Sequence, residues 1–232
     1  MQGKKLKRFA ELNTFSNVFQ FPQDFKQTWD ETFPSSQPVI LELACGKGDY
    51  TIGLARNAPD KAFIGIDIKG NRMYIGARQA LQESLTQVRF LRIRIEQLCD
   101  YIPPQRVDEI WITFPDPFLR ESKAKNRLTH PKFLRLYQQV LRPGGLIHLK
   151  TDSQPLFEFT KEMVATYQCP VVDLQENIYI AGTPDFPLNI QTFYEKMHLA
   201  DQRQIRYICF RLPETAIIPP PKKNTHVVDQ DA

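Results

Sequence analysis

Acidic residues recur in this chain at the ends of apolar runs, where a carboxylate meets a ligand more readily than it meets bulk water. Glu42 lies in Val39-Ile40-Leu41-Glu42-Leu43-Ala44, Asp67 closes Ala62-Phe63-Ile64-Gly65-Ile66, and Asp116 follows Val107 to Phe114. Ionised carboxylates accept hydrogen bonds from hydroxyl and amino groups and balance cations. Between Glu42 and Gly48 the string Glu-Leu-Ala-Cys-Gly-Lys-Gly ends in two glycines. Gly46 and Gly48 carry no Cβ, so a ligand can approach their backbone closely. The four cysteines, Cys45, Cys99, Cys169 and Cys209, lie far apart and form no Cys-x-x-Cys pair, so neither a metal site nor a disulfide framework is expected.

These residues need elements to carry them. Val39–Ala44, Ala62–Asp67, Val88–Ile93, Val107–Phe114 and Leu146–Lys150 read as buried strands. Thr51–Asn57, Asn71–Glu83, Lys132–Leu141 and Pro155–Tyr167 read as the helices between them. Strands alternating with helices predict right-handed crossovers and a mainly parallel sheet. Val171–Ile180 and Ile205–Leu212, around a helix that includes Thr192–Leu199, read as two further strands at an antiparallel edge. The expected fold is therefore α/β and Rossmann-like: seven strands, mostly parallel, one antiparallel, with helices on both faces.

Residues 1–36 mix Lys4, Lys5, Lys7 and Arg8 with Phe9, Phe15, Phe19, Phe21, Phe25, Trp29 and Phe33. They read as an arm whose aromatics pack on the main domain of residues 37–212, with its basic start available to an anionic polymer. Residues 213–232, rich in proline around Pro219-Pro220-Pro221, read as a flexible tail. No apolar stretch approaches the roughly 20 residues that cross a bilayer. The expectation is a soluble cytoplasmic protein, monomeric or homodimeric, with no membrane partner.

The glycine-containing loop would leave the first strand and enter the first helix at the carboxyl edge of the sheet, the place where such folds bind ligands. Its spacing is not the Gly-x-Gly-x-x-Gly of dinucleotide sites, and Glu42 would repel a pyrophosphate. A ligand carrying an ammonium group, such as the methionine part of S-adenosylmethionine, suits it better. Asp67 is placed to accept both hydroxyls of a ribose. Glu42, Gly46, Gly48 and Asp67 together resemble the class I methyltransferase pattern, with Ala44 where the first glycine usually stands. The residue that usually holds the adenine amine corresponds to Arg94, whose guanidinium cannot accept a hydrogen bond.

Further along come Phe114-Pro115-Asp116-Pro117, the basic stretch Arg120 to Arg127, Asn126-Arg127-Leu128-Thr129, Val140-Leu141-Arg142-Pro143-Gly144-Gly145 and Lys150-Thr151-Asp152. Together with the late Thr192-Phe193-Tyr194-Glu195 they resemble the bacterial tRNA (guanine-N7-)-methyltransferases over roughly residues 36–212. The resemblance implies a class I fold and transfer of methyl from S-adenosylmethionine to guanine-N7 in the tRNA variable loop. It puts Glu42, Asp67, Arg94 and Asp116 on the cofactor side, and Arg120, Asp152, Thr192 and Glu195 on the substrate side. Arg120 replaces a lysine and Phe118 the family's tryptophan. Asp116 is the candidate catalytic carboxylate, and Lys123, Lys125 and Arg127 are expected on the RNA backbone. Competing readings are a methyltransferase acting on another substrate and an RNA-binding protein that has lost catalysis.

Three placements have plainer alternatives. Asp152 suits the N-cap of the helix that follows. Thr192 with Glu195 spells a capping box. His148, inside a strand pattern, reads as a packed side chain.

Overall fold

The computed structural model describes residues 2–219; the basic-proline stretch from Pro220 onward lies outside them. Eight strands form one sheet: β1 (Val18–Gln20), β2 (Val39–Leu43), β3 (Ala62–Ile66), β4 (Val88–Arg92), β5 (Val107–Thr113), β6 (Leu141–Thr151), β7 (Val171–Gln175) and β8 (Arg206–Arg211). Their order across the sheet is β1-β4-β3-β2-β5-β6-β8-β7. Only β8 runs against the others, pairing antiparallel with both β6 and β7. The expected seven strands and single reversed strand are present, and β1 adds an eighth at the edge.

That eighth strand comes from the basic, aromatic arm. Val18, Phe19 and Gln20 pair in parallel with Phe90, Leu91 and Arg92 of β4. Phe25, Trp29 and Phe33 then enter the core, with the Trp29 and Phe33 rings 4.6 Å apart.

β2 and β3 are buried at every position. Such strands, covered on both faces, show near-continuous apolar runs rather than alternation. Their side chains still alternate between faces. Val39, Leu41 and Leu43 join one core cluster and Ile40 the other. The first cluster packs α2 (Trp29–Thr32), α5 (Leu98–Tyr101), α6 (Pro131–Val140) and α7 (Gln154–Thr166) against the sheet. The second packs α3 (Asp49–Ala55) and α4 (Gly70–Gln82), with α1 (Gln2–Leu12) lying along α4. α8 (Phe193–Ala200) precedes β8.

Two boundaries differ from the sequence reading. β6 begins at Leu141 and runs through Pro143-Gly144-Gly145, accommodated by a register shift between Val107 and Glu109 of β5. β7 stops at Gln175, and the chain then wanders through turns to α8. No helix among the described residues is long and apolar enough to cross a membrane.

Candidate active site

The loops after β2, β3, β4, β5 and β6 open on one edge of the sheet and line a cavity of about 640 Å³. Glu42 stands at its floor, 3% exposed. Its Oε2 accepts from the Thr51 amide at 2.8 Å and the Thr51 hydroxyl at 2.5 Å, and its Oε1 accepts from the Thr113 hydroxyl at 2.9 Å. Burial outweighs these bonds and pushes its carboxyl up to about 7. Asp67 bridges two loops: Oδ2 accepts from the Gly46 amide at 2.9 Å and Oδ1 from the Lys69 amide at 2.8 Å.

The two glycines of this loop have different work. Gly46 has a positive φ of 56° and faces open space, a Cβ there meeting nothing nearer than the Ala44 carbonyl oxygen at 4.0 Å. Gly48 faces inward, where a Cβ would stand 2.6 Å from the Phe90 ring. Gly65 and Gly76 leave room for the same ring. Phe90 is thus the pad beneath the loop, and Gly48 packs on it rather than lining the cavity. Ala44, where the resemblance expects glycine, adopts φ 56°, a left-handed conformation that costs an alanine energy. Cys45 is buried, and burial, with Glu42 and Asp67 near, holds its thiol well above the usual range.

Asp116 is exposed on the opposite wall, between buried Pro115 and half-buried Pro117. Phe114 and Phe118, which flank this Pro-Asp-Pro, adopt φ of 48° and 44°. Bulky residues rarely occupy this region, so the surrounding contacts must hold them there. The Phe114 amide donates to the Lys150 carbonyl at 2.8 Å. Arg127, 6% exposed, donates to the Phe118 carbonyl at 3.1 and 3.3 Å and lies 4.5 Å from the Phe159 ring centroid. Arg127 is therefore a brace for this loop, engaged inside the protein. Arg120, Lys123 and Lys125 are exposed and lie outside the cavity lining.

α8 supplies a third wall. Thr192 caps it, accepting from the Glu195 amide at 3.1 Å. The Glu195 carboxylate does not complete the capping box. It is fully buried, accepts from Lys150 Nζ at 2.8 Å and from the Tyr179 hydroxyl at 2.7 Å, and does not line the cavity. Lys150, also fully buried, donates in addition to the carbonyls of Leu188 and Ile190 at 2.6 and 3.0 Å. Desolvation lowers its pKa, and Glu195 opposes that shift. α8 presents Phe193, Tyr194 and His198 to the cavity. Its first amide, at Phe193, donates to Asp49 Oδ2 at 2.9 Å, and Lys47 Nζ stands 3.4 Å from the Phe193 ring centroid. These contacts join α8 to the glycine-containing loop.

Asp152 lines the cavity at the end of β6. Ser153, not Asp152, caps α7, its hydroxyl accepting from the Leu156 amide. That leaves the Asp152 carboxylate for Arg203 at 2.8 Å and for His198 Nε2 at 3.6 Å. His148 stays in the core, stacked on Trp111 at 3.9 Å and bonded to the Tyr207 hydroxyl at 2.8 Å.

The cavity thus gathers Glu42, Gly46, Asp67, Arg94, Asp116, Asp152 and Thr192, while Gly48, Arg120, Lys123, Lys125, Arg127 and Glu195 stand outside its lining. Lys47, Phe193, Tyr194, His198 and Arg203 also line it and were not singled out from the sequence. Two of them, Phe193 and Tyr194, lie inside the late Thr-x-x-Glu string, where an aromatic pair beside a helix cap was the available signal.

Residues 36–207 match a protein-family model described as a putative methyltransferase. Among solved structures, the 16S rRNA methyltransferase KamB superposes with a TM-score of 0.62 at 16% identity, over 81% of this chain and 94% of that one. A 16S rRNA (adenine(1408)-N(1))-methyltransferase variant from Catenulisporales acidiphilia, solved with its cosubstrate SAM, gives 0.58 at 13% identity, over 84% and 92%. At these identities the likeness shows the fold. The tRNA (guanine-N(7)-)-methyltransferase of Bacteroides thetaiotaomicron is 41% identical over 95% of this chain and 90% of its own length. That of Porphyromonas gingivalis is 43% identical over 88% and 87%. Similarity of this extent, over a cavity with this arrangement of carboxylates, makes the chain a member of the tRNA (guanine-N7-)-methyltransferase family.

Proposed function

We propose that this chain transfers the methyl group of S-adenosylmethionine to N7 of a guanine in the variable loop of tRNA. The observation that carries the reading is a single cavity with two unlike carboxylate walls. One wall has Glu42 and Asp67 beside the open backbone of Gly46. The other has Asp116 and Asp152 beside aromatic side chains. The extent of similarity to the tRNA (guanine-N(7)-)-methyltransferases supports the choice of substrate.

The cofactor wall fits its ligand on chemical grounds. Glu42 is the buried acid suited to an ammonium group, Asp67 suits ribose hydroxyls, and Gly46 leaves space where a Cβ would stand. When bound, S-adenosylmethionine supplies an electrophilic methyl carbon and a neutral thioether leaving group. Guanine-N7 carries an in-plane lone pair and needs no general base, so alignment and exclusion of water are the enzyme's tasks. Asp116 and Asp152 accept from guanine's N1–H and N2 amine, donors that adenine does not present in that pattern. Their charge also stabilises the positive charge that grows on the purine. Phe193 and Tyr194 offer faces on which a base can stack.

Arg120, Lys123 and Lys125 hold the RNA backbone electrostatically. Thr192 orders the α8 wall as its cap. Glu195 acts through Lys150 as a positioning residue, and Arg127 positions the Asp116 loop. The test is incubation of bulk tRNA with methyl-labelled cofactor, followed by nucleoside analysis. Label should appear in 7-methylguanosine and fall at least a hundredfold with Asp116→Ala. Label on another nucleoside, with none on guanine-N7, would refute the substrate assignment.

A further inference from the structure

Arg94 stands where this family's pattern calls for an acceptor to the adenine amine, yet a guanidinium only donates. The base still needs a partner. Asp67 lies at the end of β3, and β4 is the next strand in the sheet. A purine attached to a ribose held by Asp67 therefore reaches the wall formed by Ile68 and the segment after β4. That wall offers Ile68, Ile93 and Ile95 to the faces of the ring, and α6 adds Phe133 to the lining.

The polar groups available to its edge are few. Ile95–Gln97 forms a single 3₁₀ turn, in which the Arg94 carbonyl accepts from the Gln97 amide at 2.9 Å and the Ile95 carbonyl from the Leu98 amide. Each of these carbonyls already accepts one backbone bond and is turned along the 3₁₀ axis toward it. Lys69 and Arg72, also in the lining, only donate. Glu96 lines the same cavity, half exposed, and accepts only. Lys132 Nζ of α6 stands 3.5 Å from its Oε1, which restrains the carboxylate and leaves its other oxygen open.

We propose that Glu96 selects adenine, its carboxylate accepting from the exocyclic amine of the cofactor's base in place of residue 94. The inference rests on the cofactor reading above and extends it to a residue the family pattern does not mark. Residue 94 then need not accept from the amine, which accounts for an arginine being accepted there. Asn126, on the far side of the cavity, carries an amide oxygen that can also accept.

The test is calorimetric titration of the full chain with S-adenosylhomocysteine and with its 6-deamino analogue, in which hydrogen replaces the amine. The parent should bind the first about tenfold more tightly, the size of one charge-assisted hydrogen bond at a half-exposed site. In Glu96→Ala the gap should fall below about twofold, through weaker binding of S-adenosylhomocysteine alone. Glu96→Gln, which keeps an acceptor, should restore part of it. A gap that survives Glu96→Ala, that is absent in the parent, or that collapses in Asn126→Ala instead overturns the inference and leaves the cofactor reading standing. Failure of the parent to bind S-adenosylhomocysteine at all overturns both.

Discussion

Replacing Glu42 by glutamine should make the protein more stable and less able to bind its cofactor. The carboxyl is raised from 4.5 to about 7, chiefly by desolvation, with bonds from Thr51 and Thr113 opposing. At ~1.4 kcal/mol per pH unit, the folded chain prefers the protonated form by about 3 kcal/mol. The sign follows from proton uptake on folding. Between pH 4.5 and about 7 the folded state binds the proton that the unfolded state has released, so stability falls as pH rises through that window. Above about 7 the full cost is present, and below 4.5 it vanishes.

Glutamine is a permanent copy of the neutral form. Its Oε1 can keep the two bonds from Thr51, while Thr113 must turn its hydroxyl to accept from the new amide, at a cost of about 1 kcal/mol. The net gain at pH 8 is about 2 kcal/mol. For a chain of 232 residues that is roughly 4–8 °C in Tm. Scanning calorimetry of parent and variant from pH 4 to 8 should show the variant less stable by about 1 kcal/mol at the acid end, where only the Thr113 cost remains, with the difference changing sign through pH 5–7 and then levelling. Titration with S-adenosylhomocysteine at pH 8 should give at least a tenfold loss of affinity in Glu42→Gln, because the ligand's ammonium group loses its anion. Destabilisation of the variant at pH 8, or a pH-independent difference in Tm, would refute the claim that burial of this charge outweighs its hydrogen bonds. Unchanged ligand affinity would remove Glu42 from the ammonium site.

Lys150→Met should cost about 3–5 kcal/mol in denaturant unfolding, because it leaves the Glu195 carboxylate buried without its cation; adding Glu195→Leu should recover part of the loss. Ala44→Gly should raise stability by about 1 kcal/mol, since φ 56° suits glycine and strains alanine; a destabilised variant would mean that the Ala44 methyl contributes packing that exceeds the strain. Lys123→Glu with Lys125→Glu should weaken tRNA binding and reduce the slope of log K against log salt by about 1.5, at roughly 0.7–0.9 per phosphate contact. S-adenosylhomocysteine affinity should stay as in the parent. Arg127→Ala should instead lower Tm by several degrees, at about 2–4 °C per kcal/mol, because that guanidinium braces the Phe118 carbonyl.

Residue type explains which parts of this design are legible in the sequence. The central strands announce themselves because full burial demands uninterrupted apolar runs, as in Val39–Leu43. β1 gives no such signal. Three residues with no alternation become a strand only because β4 offers an unpaired edge, which is tertiary information. The extension of β6 through Pro-Gly-Gly is hidden for the same reason: those residues read as a helix stop, and pairing with β5 overrides them. Within the site, Glu42 and Asp67 are legible because acids at strand ends are chemically unusual. Glu195 is legible only as half of a capping box, since its partner is 45 residues away. The clue was Lys150 itself, a lysine following Leu-Ile-His-Leu in a buried strand, which requires an anion from elsewhere.

Lys150 also explains how the two halves of the cavity keep their relation. Its carbonyl holds the Phe114 amide, which starts the Asp116 loop, and its ammonium holds Glu195 and the carbonyls of Leu188 and Ile190, which seat α8. One residue of β6 therefore fixes both the Asp116 loop and α8 by opposite ends. α8 is then tied back to the glycine-containing loop where Phe193 meets Asp49 and Lys47. The strained Phe114 and Phe118 stand inside this closed circuit of contacts, and Arg127 braces the far end. Strain of this kind persists only where the surroundings over-determine it. It is concentrated here around Asp116, the carboxylate proposed above to face the purine, a placement that an in-line transfer would tolerate least when displaced. Glu42 and Asp67 are held directly, by Thr51 and Thr113 in the one case and by the Gly46 and Lys69 amides in the other. Asp116, exposed and held only through its neighbours, depends on a buried ion pair behind the site for its place.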